Sequence, residues 1–200
     1  MLVPLDHMTS RVLLVSPAMS TSLRQARFDD GGSIDESGAA RARSAAGALP
    51  SAGRVLTSPT VRCRETAAAL GLDGVPVPEL AGLDVGRWRG RTLEEVGAAE
   101  PEAVGRWLTD PDCAPHGGES VRDLCERVAG GLADAQQLEG RTIAVVEPEV
   151  VRAAVAGALG MPAAVFWRLD VPPLTVTELS GRAGRWNLRL GCPLAAPEAA

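Results

Sequence analysis

Two short apolar runs, each cut off by a proline, constrain this chain more than any other feature. Val12-Leu13-Leu14-Val15 and Thr142-Ile143-Ala144-Val145-Val146 are rich in β-branched residues and show no polar alternation. Strands covered on both faces of a sheet read this way. Pro17 follows the first run and Pro148 the second, and proline has no N–H with which to extend a strand ladder. Ligands of open α/β sheets sit beyond the carboxyl edges of such strands. Whatever chemistry the chain performs, or has lost, should therefore be legible in Ser16 to Ser20.

The remaining sequence alternates strand and helix signals. Residues 21–34 are polar and glycine-rich and read as an exposed loop. Asp35-Glu36-Ser37 opens a helix, with acidic residues at its positive end, that runs to about Leu49 before Pro50. Arg54-Val55-Leu56-Thr57 reads as a second short strand. Ser58-Pro59 then starts a helix from Thr60 to about Leu70, placing Arg62 in its first turn near the same sheet edge as Ser16. Thr92, followed by Glu94 and Glu95, caps another helix, and the pattern predicts that it continues through 101–108. The longest helix is expected from Glu119 to about Leu138, with Val121, Leu124, Cys125, Val128 and Leu132 at helical spacing. Glu149–Leu159 resumes as helix. Leu174–Leu179 and Trp186–Leu190 read as two strands joined by Gly181-Arg182-Ala183-Gly184. This order predicts an α/β fold with three α/β/α layers around a mostly parallel central sheet. Two hundred residues without a long linker or an internal repeat suit one domain, residues 1–200, with its core at about 11–190.

Composition removes several function classes. A net charge of −5 argues against a general nucleic-acid binder, because phosphate-backbone affinity needs a cationic face. All 20 basic residues are arginine. The four cysteines, Cys63, Cys113, Cys125 and Cys192, are scattered without a CxxC pair. They read as reduced thiols, with no metal and no cofactor expected. No apolar run approaches the ~20 residues of a membrane span, and MLVPLDHMTS lacks the basic and apolar regions of a secretion signal. A cytoplasmic protein with no membrane partner is expected.

The order of motifs resembles the histidine phosphatase superfamily, the phosphoglycerate-mutase-like proteins, over about residues 11–190. Four segments carry the resemblance: Ser58-Pro59-Thr60-Val61-Arg62 with Glu65-Thr66-Ala67; Gly86-Arg87-Trp88-Arg89-Gly90-Arg91-Thr92; Gly117-Gly118-Glu119-Ser120; and Val145 to Pro162, with Arg152 and Leu159-Gly160-Met161-Pro162. The resemblance implies a phosphohistidine mechanism, in which a histidine after the first strand attacks phosphorus. Arginines and a second histidine hold the phosphoryl group, and a glutamate protonates the leaving oxygen. This sequence departs at nearly all of those positions. Ser16 stands for the first arginine, Pro17 for the nucleophile, Ala18 for a glycine, Gly82 for the proton donor and Pro148 for the second histidine. Only Arg62 matches the phosphate-binding set. Neither histidine of the chain, His7 or His116, falls at a matching position.

Phosphoenzyme chemistry needs a nucleophile that can accept and release a phosphoryl group, and proline cannot. The family's phosphatase or mutase reaction is therefore not expected. Two function classes remain. One is a non-catalytic member that binds a small-molecule ligand or a protein partner. The other is an enzyme repurposed for different chemistry in the same cleft, for instance in specialised metabolism; residual phosphatase activity is a third alternative. Candidate catalytic residues are Glu147, Glu149 and His116; candidate ligand-binding residues are Arg62, Ser16, Ser20 and Glu149. Each has a plainer reading. Arg62 can be a buried arginine paired with an acid, Glu149 a solvated helix-start charge and His116 an ordinary exposed loop histidine. Ser16 and Ser20 can serve turn geometry. Trp88 and Trp107 read as packing residues, and Asp84 as a turn or salt-bridge acid. Related proteins are often dimers, so a homodimer stays open. A closed pocket uniting Arg62, Glu149 and Ser16 would favour the enzyme, and an open or collapsed cleft the binding protein.

Overall fold

The first apolar run forms β1 (Ser10–Val15), flanked in the sheet by the second, β4 (Gly140–Val145). The two pair in parallel, with Val15 opposite Val145. β2 (Arg54–Thr57) pairs in parallel with the other side of β4, and a two-residue strand, β3 (Val75–Pro76), adds to its outer edge. Beyond β1 lie β5 (Thr175–Arg182) and β6 (Arg185–Pro193), each antiparallel to its neighbour. The order is β3-β2-β4-β1-β5-β6. This computed structural model describes residues 9–136, 140–182 and 185–196; His7 and the Ala183-Gly184 part of the expected turn lie outside them.

Side-chain alternation along β1 divides the core into two layers. Val12 and Leu14 pack with α6 (Val121–Gln136) and α7 (Pro148–Ala158) through Leu124, Val128, Val151 and Val155. Leu13 and Val15 pack on the other face with α2 (Glu36–Ser44) and α3 (Val61–Ala69) through Ala42, Cys63 and Ala67. The α/β/α layering predicted from the sequence is the layering observed. A third cluster, Trp88, Val96 and Trp107, lies under α4 (Leu93–Ala99) and α5 (Pro101–Thr109).

β5 takes in Gly181 and Arg182 of the expected turn and β6 runs on to Pro193; three other boundaries differ from the sequence reading for a local reason. Residues 21–34 contain a helical turn, α1 (Thr21–Arg24), because Ser20 Oγ accepts the Leu23 N–H at 3.2 Å and caps it. The helix opened by Asp35 ends at Ser44; residues 45–48 tighten into i to i+3 bonds and Gly47 turns at φ 82°. The helix capped by Thr92 does not run on through 101–108. Glu100, at φ −138° and ψ 54°, breaks it into α4 and α5, since a residue before proline is pushed out of the helical region.

Two of the sequence motifs dock on each other. A Cβ at Gly86, where φ is 47°, would strike the His116 carbonyl, and one at Gly118 would strike the Asp84 carbonyl. Only glycine permits this approach. The turn is tied by Asp84 Oδ1, which accepts the Gly86 N–H at 2.9 Å, and by the Glu119 N–H donated to the Asp84 carbonyl at 2.8 Å. Arg127 of α6 bonds Glu119 and the carbonyls of Glu79, Ala81 and Gly82, which fixes the segment carrying Gly82 over the sheet edge.

Candidate functional site

At the carboxyl edge of β2, β4 and β1 the structure places an ion pair. Ser58-Pro59-Thr60 turns the chain from β2 into α3, and Arg62 follows in the first turn. Its Nε–H donates to both oxygens of Glu147 at 2.9 Å, and its Nη2 lies 2.6 Å from Glu147 Oε2. Thr60 Oγ1 donates to Glu147 Oε1 at 2.7 Å. Arg62 is 8% exposed and Glu147 1%, so the pair is removed from water. Burial works against the Arg62 charge, but Glu147, then Glu149 and Asp29, more than offset it and raise the guanidinium above its ordinary range.

Glu147 occupies the N-cap of α7, yet its side chain makes no capping bond. It turns inward to Arg62 instead. Gly82 permits this: a Cβ there would lie 3.0 Å from Glu147 Cγ and 3.4 Å from its Cβ. The glycine and the inward glutamate are mutually fitted, and a carboxylate at both positions would put two like charges against one arginine. Asp29 Oδ1 lies 3.9 Å from Arg62 Nε, and Asp29 Oδ2 lies 3.8 Å from Nη2 of exposed Arg89. Charges thus alternate from Glu147 through Arg62 and Asp29 to Arg89.

Glu149, in the first turn of α7, is half-buried rather than solvated. Burial, then the neighbouring Glu147 carboxylate, raise its carboxyl above the ordinary range, against smaller effects of Arg62 and Arg152. Cys63, beside Thr60 and Arg62, is buried, and desolvation pushes its thiol up, away from nucleophilic character.

The remaining candidates do not join this pair. Ser16 is buried and turns toward β5: its Oγ donates to the Pro172 carbonyl at 2.6 Å and accepts the Thr175 N–H at 3.0 Å, with Thr175 Oγ1 at 3.2 Å. It fastens the 172–175 turn to the end of β1. Ser20 is the cap of α1. Pro17 is buried, its carbonyl accepting the Leu174 N–H, and Pro148 is the first residue of α7. Thr66, in the Glu65-Thr66-Ala67 part of the motif on α3, accepts the Ala18 N–H at 3.0 Å and so holds the segment after β1 in place.

His116 is not an exposed loop residue. It is 2% exposed, with its ring 5.0 Å from that of Trp88 in an edge-on arrangement. Nδ1 accepts the Gly118 N–H at 3.1 Å, and Nε2 is buried without a hydrogen-bond partner. A ring that accepts at Nδ1 carries its proton on Nε2. Burial keeps its pKa below 6.5, with Arg87 adding to the depression and Asp84 opposing it.

Sequence reasoning missed Thr60, Asp29 and the Thr175 partner of Ser16. Thr60 sits at an unspecified position of its motif, and the other two reach the edge from distant segments, so nothing local marks them. Among the described residues, no group of three or more His, Cys, Asp or Glu side chains is placed to hold a metal, and no helix is long and apolar enough to cross a membrane.

The chain matches the histidine phosphatase superfamily (branch 1) over residues 23–191. It belongs to that superfamily. A bifunctional protein of Mycobacterium tuberculosis is 32% identical over 182 residues, which are 84% of this chain and 50% of that protein. Phosphoserine phosphatase 1 of Hydrogenobacter thermophilus is 32% identical over 106 residues, 52% of this chain and 50% of that protein. The chain therefore spans about half the length of these curated relatives. A mycobacterial glucosyl-3-phosphoglycerate phosphatase structure complexed with VO3 superposes with a TM-score of 0.79 at 25% identity, covering 93% of this chain and 99% of that one. The fold is also that of a structure described as a putative α-ribazole-5′-P phosphatase from Escherichia coli, with a TM-score of 0.83, 20% identity and coverage of 95% and 99%.

Proposed function

We propose that this chain is a superfamily member that does not transfer phosphoryl groups and acts instead as a binding module for a small ligand or a partner protein. One observation carries the reading: Arg62, the arginine expected to meet a phosphate, is already paired with Glu147, with both carboxylate oxygens within 2.9 Å of its Nε. A dianion entering there would meet a neutralised arginine flanked by Glu149 and Asp29. Phosphoryl transfer needs cationic groups on the equatorial oxygens and a nucleophile in line. Here Pro17 and Pro148 stand just beyond the two central strands. His116 donates nothing to that edge; its Nδ1 is engaged by Gly118 and its ring packs on Trp88. Arg62 pairs with Glu147 while Ser16 bonds Thr175, which supports the binding reading over a site built jointly on Arg62, Glu149 and Ser16.

The names of the relatives argue for phosphate-ester chemistry, and the assay addresses that directly. The wild-type protein is expected to hydrolyse p-nitrophenyl phosphate no faster than Arg62→Ala, and orthophosphate is expected to leave its melting temperature unchanged. Glu147→Gln removes the competing charge, and in that variant orthophosphate should stabilise the fold, by about 2.7 kcal/mol at a hundred times its dissociation constant. Wild-type turnover that disappears in Arg62→Ala would overturn the reading. A second reading, catalysis of a different kind, is favoured by Glu149, whose raised pKa suits a proton donor. It is tested by Glu149→Gln once a screen of phosphates, carboxylates, amines and polar metabolites yields a ligand.

A further inference from the structure

A cavity of about 430 Å³ lies away from the Arg62–Glu147 edge, where the sheet face of β1, β5 and β6 extends past the end of α2. Its apolar surface comes from Leu13 and Val176 on the sheet, Leu49 after α2 and Leu194 after β6. Small-molecule sites typically occupy roughly 300–1,000 Å³, with mostly apolar walls and a few polar groups that orient the ligand. The polar groups here are Glu178 and Arg189, which face each other across β5 and β6. Glu178 is already engaged, accepting from Arg11 Nη1 at 3.0 Å. The Arg189 guanidinium has no hydrogen-bond or ion-pair partner among the described residues.

With Glu178 held by Arg11, Arg189 stands as an unpaired positive charge at the rim beside an apolar floor. Charge complementarity then selects an occupant with an apolar body and one anionic head, since arginine binds carboxylates through paired, charge-assisted hydrogen bonds. We propose that this cavity is a binding site for a small apolar monocarboxylate, whose hydrocarbon part lies on Leu13, Leu49, Val176 and Leu194 and whose carboxylate meets Arg189. None of Arg62, Glu147 or Glu149 lines the cavity, so the site stands or falls independently of what the sheet edge does.

Cys192 also lines the cavity and is exposed, which supplies a readout that needs no enzymatic activity. Octanoate is the probe. Its binding is measured by calorimetry, and alkylation of Cys192 by N-ethylmaleimide is followed by peptide mass spectrometry. Octanoate is expected to slow alkylation of Cys192. Arg189→Gln, at an exposed position, should weaken octanoate about tenfold, the loss of one charge-assisted contact, without changing weak binding of octanol. Ala48→Trp, which fills the cavity from its partly exposed wall, should abolish both, and circular dichroism confirms that each variant is folded. Octanoate binding that survives unchanged in both folded variants overturns the proposal, as does an absence of binding to the wild type. Protection of Cys192 that grows with protein concentration alone would assign the cavity to a second copy of the chain and equally overturn it.

Discussion

Replacing Arg62 by methionine tests whether the buried pair holds the sheet edge together. Methionine fills a similar volume but leaves Glu147, 1% exposed, as an uncompensated carboxylate that retains the Thr60 hydroxyl at 2.7 Å as a donor. Stranding one partner of a buried pair costs about 3–5 kcal/mol. In a chain of 200 residues, 1 kcal/mol corresponds to roughly 2–4 °C, so the melting temperature should fall by roughly 6–20 °C. Removing both charges is a different perturbation. Apolar replacement of a whole buried pair is often neutral or stabilising, so Arg62→Met with Glu147→Leu should recover most of the loss. Urea unfolding followed by the fluorescence of the four tryptophans gives the three free energies and hence the coupling. An Arg62→Met loss below about 1 kcal/mol, or a double variant that loses the sum of the singles, would refute the argument that Glu147 is held there by Arg62.

Ser16→Ala should cost about 1–3 kcal/mol, because the Thr175 N–H donated to Ser16 Oγ at 3.0 Å is buried and loses its acceptor; the loss appears as a lower urea midpoint. Gly82→Glu should destabilise the fold, since its Cβ would sit 3.0 Å from Glu147 Cγ, and Glu147→Gly should relieve it; two variants whose effects simply add would contradict the fitted pair. His116 should make stability fall as pH drops through about 6.5. Its folded pKa lies below its unfolded one, so the unfolded chain takes up the proton first. The difference in urea midpoint between His116→Gln and wild type should therefore shift with pH between about 7.5 and 5; a constant difference would show that the buried ring does not titrate as described.

The sequence by itself determined the layering. Unbroken apolar runs can be satisfied only in strands covered on both faces, and Pro17 and Pro148 end the local ladder wherever they stand. The helix starts at Asp35 and Thr92 were legible for the same reason, since a cap is a contact within one turn. Which side chains meet at the sheet edge was set by contacts between distant segments. Arg62 and Glu147 are 85 positions apart and Ser16 and Thr175 are 159 apart. A charge pattern read along the chain does not say which arginine meets which acid, or whether a serine faces a cleft or a neighbouring strand. His116 looked exposed because its own loop is polar, and it is buried because Trp88 and Trp107 arrive from other segments to enclose it. Local geometry is set by each residue and its next few neighbours, and burial is set by whatever the fold brings across the gap. That is why the architecture could be read from the sequence, while the partner of Arg62 was decided only in three dimensions.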